Sequence, residues 1–279
     1  MAQGQRSTAG FPAYRRHEDA RREANSAIMG LLVGSRIAAH FLTLTDGSTI
    51  LLPAIFPAID HVRRFNLTSQ AARDVLVRAD VHLGTMAIPY ALAIHEDFLR
   101  SCLHMLGKNA DQPRSGALHA ALTRFDPIGF DADPLAQYHV VREMRNAVIH
   151  NGGSTNQRVI GCIANLSPRA ESAWKKIVGR SPRQLRVGDR IELGVGELFL
   201  TLAATKRLGR QANQMVVRAL APQQWAEVIV RDFVNNHPEP IAPQQRWRKL
   251  IGWQRFHYAA VGITDEHLRA AAAMCGVKL

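Results

Sequence analysis

The stretch Leu135–His150, LAQYHVVREMRNAVIH, followed by residues 151–156, NGGSTN, decides the fold class. At about 100° per residue it puts Tyr138, Val141, Met144 and Val148 on one apolar face. The Asn-Gly-Gly that follows is a helix stop made of residues that tolerate left-handed backbone. Arg145 falls inside the apolar face. A guanidinium keeps its charge, so a core-facing arginine needs a carboxylate, an aqueous cavity or a polar subunit interface. The plainer reading packs its stem on Tyr138 and sends the head to water. His150 lies five residues on, about 140° round an ideal helix from Arg145. The two share a site only if the terminal turn unwinds at the glycine pair or if a second copy of the helix faces them.

Outward from this helix the chain keeps helical spacing. Toward the amino terminus, Tyr14–Leu42 is charged and then apolar, and the turn TDGST stops it. The stretch ILLPAIFPAIDHVRRF is broken by Pro53 and Pro57. Thr68 is an N-cap for a long helix through Leu106, kinked or broken at Pro89 and stopped at Gly107. Glycine-rich and proline-rich loops bracket a short helix at 117–124. Toward the carboxyl terminus, Arg158–Ile163 (RVIGCI) and Val187–Leu193 (VGDRIEL) are short β-like pieces able to pair as a small ribbon. Residues 196–220 and 223–236 return to helical spacing. After the breaker HPEPIAP come two short helices, the second capped by Thr264. The expected architecture is mainly α: a disordered lead-in at 1–13, a helical domain at 14–236, and a basic helical tail at 244–279.

The 279 residues carry 35 Lys and Arg against 23 Asp and Glu, a formal net charge of +12. Such a balance favours a polyanionic ligand, nucleic acid first, over an acidic partner-binding surface. Cys102, Cys162 and Cys275 are an odd number at wide spacings with no CxxC pair. A reducing compartment and no structural metal are therefore expected. The polar start and the interruption of every apolar run predict neither a secretory signal nor a membrane span, hence a cytoplasmic protein. His95, His104, His139 and His257 show no metal-ligand spacing. His82, Ser101 and Cys102 lack a nucleophile signature, and GVGEL is too short for a dinucleotide turn.

The string Arg145, Asn146, Ala147, Val148, Ile149, His150 resembles the R-x(4 to 6)-H signature of the HEPN (higher eukaryotes and prokaryotes nucleotide-binding) superfamily, with a polar residue after the arginine. Its setting is similar too: the motif ends a helix, precedes Asn-Gly-Gly, and follows a helix containing ALAIHEDFLRSCLHML with a central acidic residue. The resemblance covers about residues 68–236. It implies a HEPN-like helical bundle that dimerises with both motifs in one cleft. In active members it implies metal-independent endoribonuclease activity, as a toxin or defence effector with an antitoxin or regulatory partner. Non-catalytic members that bind nucleic acid or a partner protein are the alternative. The implied roles suit the side chains. His150 moves protons near neutral pH, Arg145 clamps the phosphate, and Asn146 orients by hydrogen bonding. Glu96 is the candidate acid for Arg145, and no cofactor or metal is called for.

Two basic stretches complete the reading. Lys175, Lys176, Arg180 and Arg183, continuing to Arg190, are the expected RNA contacts, because cations position phosphates. In the tail, Arg246, Arg248, Lys249 and Arg255 alternate with Trp247, Trp253, Phe256 and Tyr258. These aromatics either stack on unpaired bases or pack a helical cap onto the bundle, the second being favoured. A helical DNA-binding protein ranks last, since the tail has no helix-turn-helix glycine turn.

Overall fold

The computed structural model of the protein describes residues 8–45, 47–64, 66–107, 114–238 and 242–278. Among these it is mainly helical, with twelve α-helices and no strand. They are α1 (Pro12–Phe41), extended by a 3-10 turn at Leu42–Thr45, α2 (Leu52–Ile55), α3 (Ser69–Val77), α4 (Ala79–Met105), α5 (Leu118–Thr123), α6 (Ala132–His150) and α7 (Gln157–Ala164). There follow α8 (Pro168–Val178), α9 (Val195–Ala219), α10 (Pro222–Asn236), α11 (Pro243–His257) and α12 (Asp265–Met274). The chain divides into two compact units. Unit 1 holds residues 1–21, 93–135 and 204–279, and unit 2 holds 22–92 and 136–203.

Several elements follow from the local chemistry named above. The Thr68 side chain accepts from the Ala71 amide to start α3, and Thr264 accepts from the His267 amide to start α12. Gly107 ends α4 with φ +76°, a conformation that costs glycine little. The single helix expected from Thr68 to Leu106 is in fact two. It breaks at Arg78, where no Gly or Pro signals a stop, and then runs uninterrupted through Pro89. Proline costs α4 one hydrogen bond. Ile88, Ala91, Leu92, Phe98 and Leu99, on either side of Pro89 along the same helix, are all buried. Gly84 is required where it stands. A β-carbon there would lie 2.3 Å from the Leu193 carbonyl oxygen, a backbone atom with nowhere to move.

The expected β-ribbon does not form. RVIGCI is the helix α7, because the Asn156 side chain accepts from the Arg158 and Val159 amides and Val159 and Ile163, one turn apart, are both buried. The segment at 187–193 pairs instead with the loop after α6, through the isolated bridge between Ser154 and Arg190.

Residues 1–7 of the expected lead-in lie outside the described residues. Residues 8–13 do not behave as a disordered segment. The Ala9 amide donates to Asn213 Oδ1 at 2.9 Å and the Asn213 amide returns a bond to the Ala9 carbonyl at 2.7 Å. Phe11 is fully buried against Phe98 and Trp225 in the unit 1 core. Nor is the tail a separate domain. Leu250, Tyr258, Val261, Leu268, Ala271 and Ala272 belong to the same core cluster as α10. Asp232 is the polar centre of that packing. Its carboxylate accepts two bonds from Arg15, at 2.7 and 2.9 Å, one from Trp253 Nε1 at 3.0 Å and one from the Tyr258 hydroxyl at 2.7 Å. The tail aromatics therefore serve chiefly as a cap, and Phe256 alone of the four named remains largely exposed.

Unit 1 also buries three histidines side by side. His95 and His119 share an Nε2 to Nε2 hydrogen bond of 3.0 Å, and His17 stacks on Phe98 beside them. Burial pushes His95 well below the ordinary imidazole range, with His119 and His17 acting in the same sense. Burial also lowers His17, against a smaller opposing pull from Glu18. Burial therefore favours the neutral form of both rings in the folded protein, whereas in the unfolded chain they protonate near pH 6.5. Stability from this source is complete above that value and falls as the pH drops below it. Denaturant melts between pH 7.5 and 5 should show a steadily falling midpoint. A midpoint unchanged over that interval would contradict the burial of neutral imidazoles.

Among the described residues one helix, counted as Pro12–Thr45 with its 3-10 extension, is long and apolar enough by length and composition to cross a membrane, and 17% of its apolar window is buried. The charges expected to interrupt every such run leave this one intact.

Candidate functional site at the end of α6

The buried face of α6 is made by Tyr138, Val141, Met144 and Ala147. Gln137 fixes it further by donating to the Ala170 carbonyl at 2.8 Å. Arg145 and Asn146 are half-buried, and His150 is exposed on the last turn. That turn does not unwind. The helix runs through His150, the Asn151 amide reaches back to the Ala147 carbonyl at 2.9 Å, and the Gly153 amide reaches the same carbonyl at 3.1 Å. Two successive left-handed glycines, Gly152 (φ +62°) and Gly153 (φ +80°), then turn the chain away. Arg145 and His150 consequently stay about 140° apart round the helix, and one protomer does not bring them together.

The loop after the glycines is clamped to the segment before α9. The Ile191 amide donates to the Gly153 carbonyl at 2.8 Å, the Thr155 amide to the Asp189 carbonyl at 2.8 Å, and the Gly188 amide to the Thr155 carbonyl at 2.9 Å. This pairing draws Arg190 to the end of α6. There a cavity of about 360 Å³ opens, lined by Arg78, His82 and Thr85 from the start of α4, by Val148, Gly152 and Gly153, and by Arg190 with Glu192. Two guanidiniums and an imidazole against one carboxylate make a wall suited to a phosphodiester. Arg78 carries no signal in the sequence, because it enters from about 70 residues upstream and shares no spacing with the motif.

The other expected residues are placed as follows. Glu96 is half-buried on the carboxyl-terminal half of α4, in unit 1, while Arg145 and His150 belong to unit 2. Lys175 and Lys176 are exposed on the last turn of α8. Arg180 donates to Glu197 at 3.1 Å and to the Glu192 carbonyl at 3.0 Å. Arg183 donates to Glu171 at 2.6 Å and to the Leu166 carbonyl at 2.8 Å. These two arginines hold α7, α8 and α9 in register, so their charge is partly neutralised within unit 2. Among the described residues no group of three His, Cys, Asp or Glu is placed to hold a metal. Cys102 is fully buried and its thiol is pushed far up by burial, so it is no nucleophile.

Unit 1 has a larger cavity, about 530 Å³, lined by Arg16, Arg100, Arg231 and His104 over Pro12, Met105 and Val228. Asp97 and Asp232 share its wall, the latter already bound to Arg15. It contains none of the residues of the R-x4-H string. No family model, curated protein or solved structure matches the chain.

Proposed function

We propose that the protein binds single-stranded RNA at the end of α6 and cleaves it without a metal ion, using Arg145 of one copy with His150 of another. One observation carries the reading: α6 stays helical through His150 and its glycine turn opens on the Arg78, His82 and Arg190 cleft. The cleft offers fixed cations for the phosphates that flank the reacting one. The RNA's own 2′-hydroxyl attacks the adjacent phosphorus, the bond to the 5′-oxygen breaks, and a 2′,3′-cyclic phosphate forms. His150 takes the hydroxyl proton or delivers one to the leaving oxygen, and Arg145 stabilises the charge on the phosphorane. Since the helix keeps the two side chains apart within a protomer, the site requires a second protomer.

The test is incubation with a mixed single-stranded RNA pool in EDTA, with product ends analysed. Cleavage leaving 2′,3′-cyclic phosphate is expected. Binding should weaken with salt, and Arg78→Ala with Arg190→Ala should lower the slope of log affinity against log salt by about 1.4, two phosphate contacts at about 0.7 each on single strands. RNA that is bound but left uncut would replace catalysis with a binding role. An unchanged salt slope in the double variant would remove the cleft from the RNA footprint.

A further inference from the structure

The unit 2 portion of α1, with the 3-10 turn Leu42–Thr45 that extends it, has two apolar faces. One, with Ala24, Ile28, Ala39 and Leu42, is buried. The other is exposed: Ala27, Gly30, Gly34, Ile37, Phe41 and Leu44 follow one another at alternating spacings of three and four, and all face solvent. Ile37 is 52% exposed, Phe41 62% and Leu44 86%. Spacings of three and four are those of a helix-to-helix seam. Arg36 lies about 130° and His40 about 90° from the centre of the stripe on the wheel.

The sizes along the stripe are ordered. The first three positions are small, the last three large. A β-carbon built on Gly30 or Gly34 would meet nothing within 4 Å, so the helix has an open hollow at its centre. A two-fold axis between Ser35 and Arg36 sets Gly34 against Ile37, Gly30 against Phe41 and Ala27 against Leu44, each large side chain over a small one. Packing of that kind lets helices approach closely and fills both hollows at once. The stripe is thus complementary to itself, and only in the antiparallel sense. A glycine hollow serves contact with another helix rather than with lipid chains, which follow any contour.

We infer that the exposed face of α1 is the surface on which two copies of this chain associate, as an antiparallel helix pair with Phe41 of each copy seated over Gly30 of the other. Val33, exposed and about 70° from the centre of the stripe, flanks the contact. The surface stands on α1 alone. The RNA reading also requires a second copy, but this test is read by mass and cross-linking without RNA, so the two fail separately.

The 279-residue protein at micromolar concentration should scatter light as twice 30.9 kDa. Gly30→Leu fills the hollow while improving helix propensity and should yield monomer, or raise the dissociation constant at least about tenfold, with unchanged far-ultraviolet circular dichroism. Phe41→Asp should do the same. In a background with Cys162→Ser and Cys275→Ser, a mixture of Gly30→Cys and Phe41→Cys proteins should form a disulfide-linked dimer under mild oxidation. Either variant alone should not, because like positions lie about 16 Å apart along an antiparallel pair. Retention of the dimer by Gly30→Leu, or cross-linking of Phe41→Cys with itself, overturns the proposal. So does a monomeric wild type that floats with vesicles of phosphatidylcholine and phosphatidylglycerol, an outcome that would assign the face to lipid.

Discussion

Asp232→Ala should cost about 3–5 kcal/mol of folding stability, the range found when one member of a buried ion pair is removed. The carboxylate is almost fully buried and ties three parts of the sequence into unit 1: α1 through Arg15, α10 through its own backbone, and α11 with its end through Trp253 and Tyr258. Truncation takes the carboxylate acceptor from the Arg15 guanidinium, an indole N–H and a phenol, and each lost partner adds its own desolvation cost. For a domain stable by about 5–15 kcal/mol, such a loss is a large fraction of the whole. Asp232→Asn keeps the shape and one acceptor and should fall between wild type and alanine. Denaturant melts followed by tryptophan fluorescence, to which Trp225 and Trp253 of unit 1 contribute, measure it. A change under about 1 kcal/mol would mean that the hub is replaceable by water.

The same residue separates two pH effects. Burial alone would raise the Asp232 carboxyl, but hydrogen bonds from Arg15, Tyr258 and Trp253 together hold it below the usual carboxylate range. A lowered carboxyl contributes fully above the unfolded value near 3.9 and loses its contribution as the pH falls through the folded one. It is therefore silent between pH 7.5 and 5, where the neutral histidines of unit 1 act. Asp232→Ala should lower stability throughout that interval without changing its slope.

Much of the helical skeleton can be read from local chemistry. Thr68 and Thr264 act as caps, Gly107 as a stop, and the apolar spacing of α6 as a core face, because each depends on residues within one or two turns. Where the reading fails, the deciding partner is remote. RVIGCI has the composition of a strand, yet Asn156 caps it and burial of Val159 and Ile163 settles it as a helix. Phe11 sits in a polar, aperiodic lead-in, and only the ring cluster with Phe98 and Trp225 explains its burial. The tail was separable on composition because nothing near Trp253 or Tyr258 announces a carboxylate on α10. The same holds for the candidate site. Arg145, Asn146 and His150 are named by one short string, whereas Arg78, His82 and Arg190 reach the cavity from two other segments, brought there by the Gly84 contact and by the bridge at Ser154. Arg180 and Arg183 read as RNA contacts by charge, and their carboxylate partners, Glu197 and Glu171, stand more than ten residues away.

Catalysis carries the second large effect. On the proposed mechanism, His150→Ala should lower the cleavage rate about 10²- to 10⁴-fold by loss of the proton carrier, and Arg145→Ala about 10²- to 10³-fold by loss of a fixed cation. Neither change should prevent association, since neither residue belongs to the α1 seam. His150 is exposed on the last turn of α6, so its loss should leave stability nearly unchanged.

The most direct measurement mixes these two inactive proteins. If each site takes Arg145 from one protomer and His150 from its partner, a mixed dimer has one site with both residues intact and one with neither. Random exchange makes half the dimers mixed, so the mixture should recover about a quarter of the wild-type rate in EDTA, from parents that are each at least about 10²-fold impaired. Recovery to that level is the predicted result. A mixture no more active than its parents, with exchange of subunits verified, would contradict a site shared between two copies of α6.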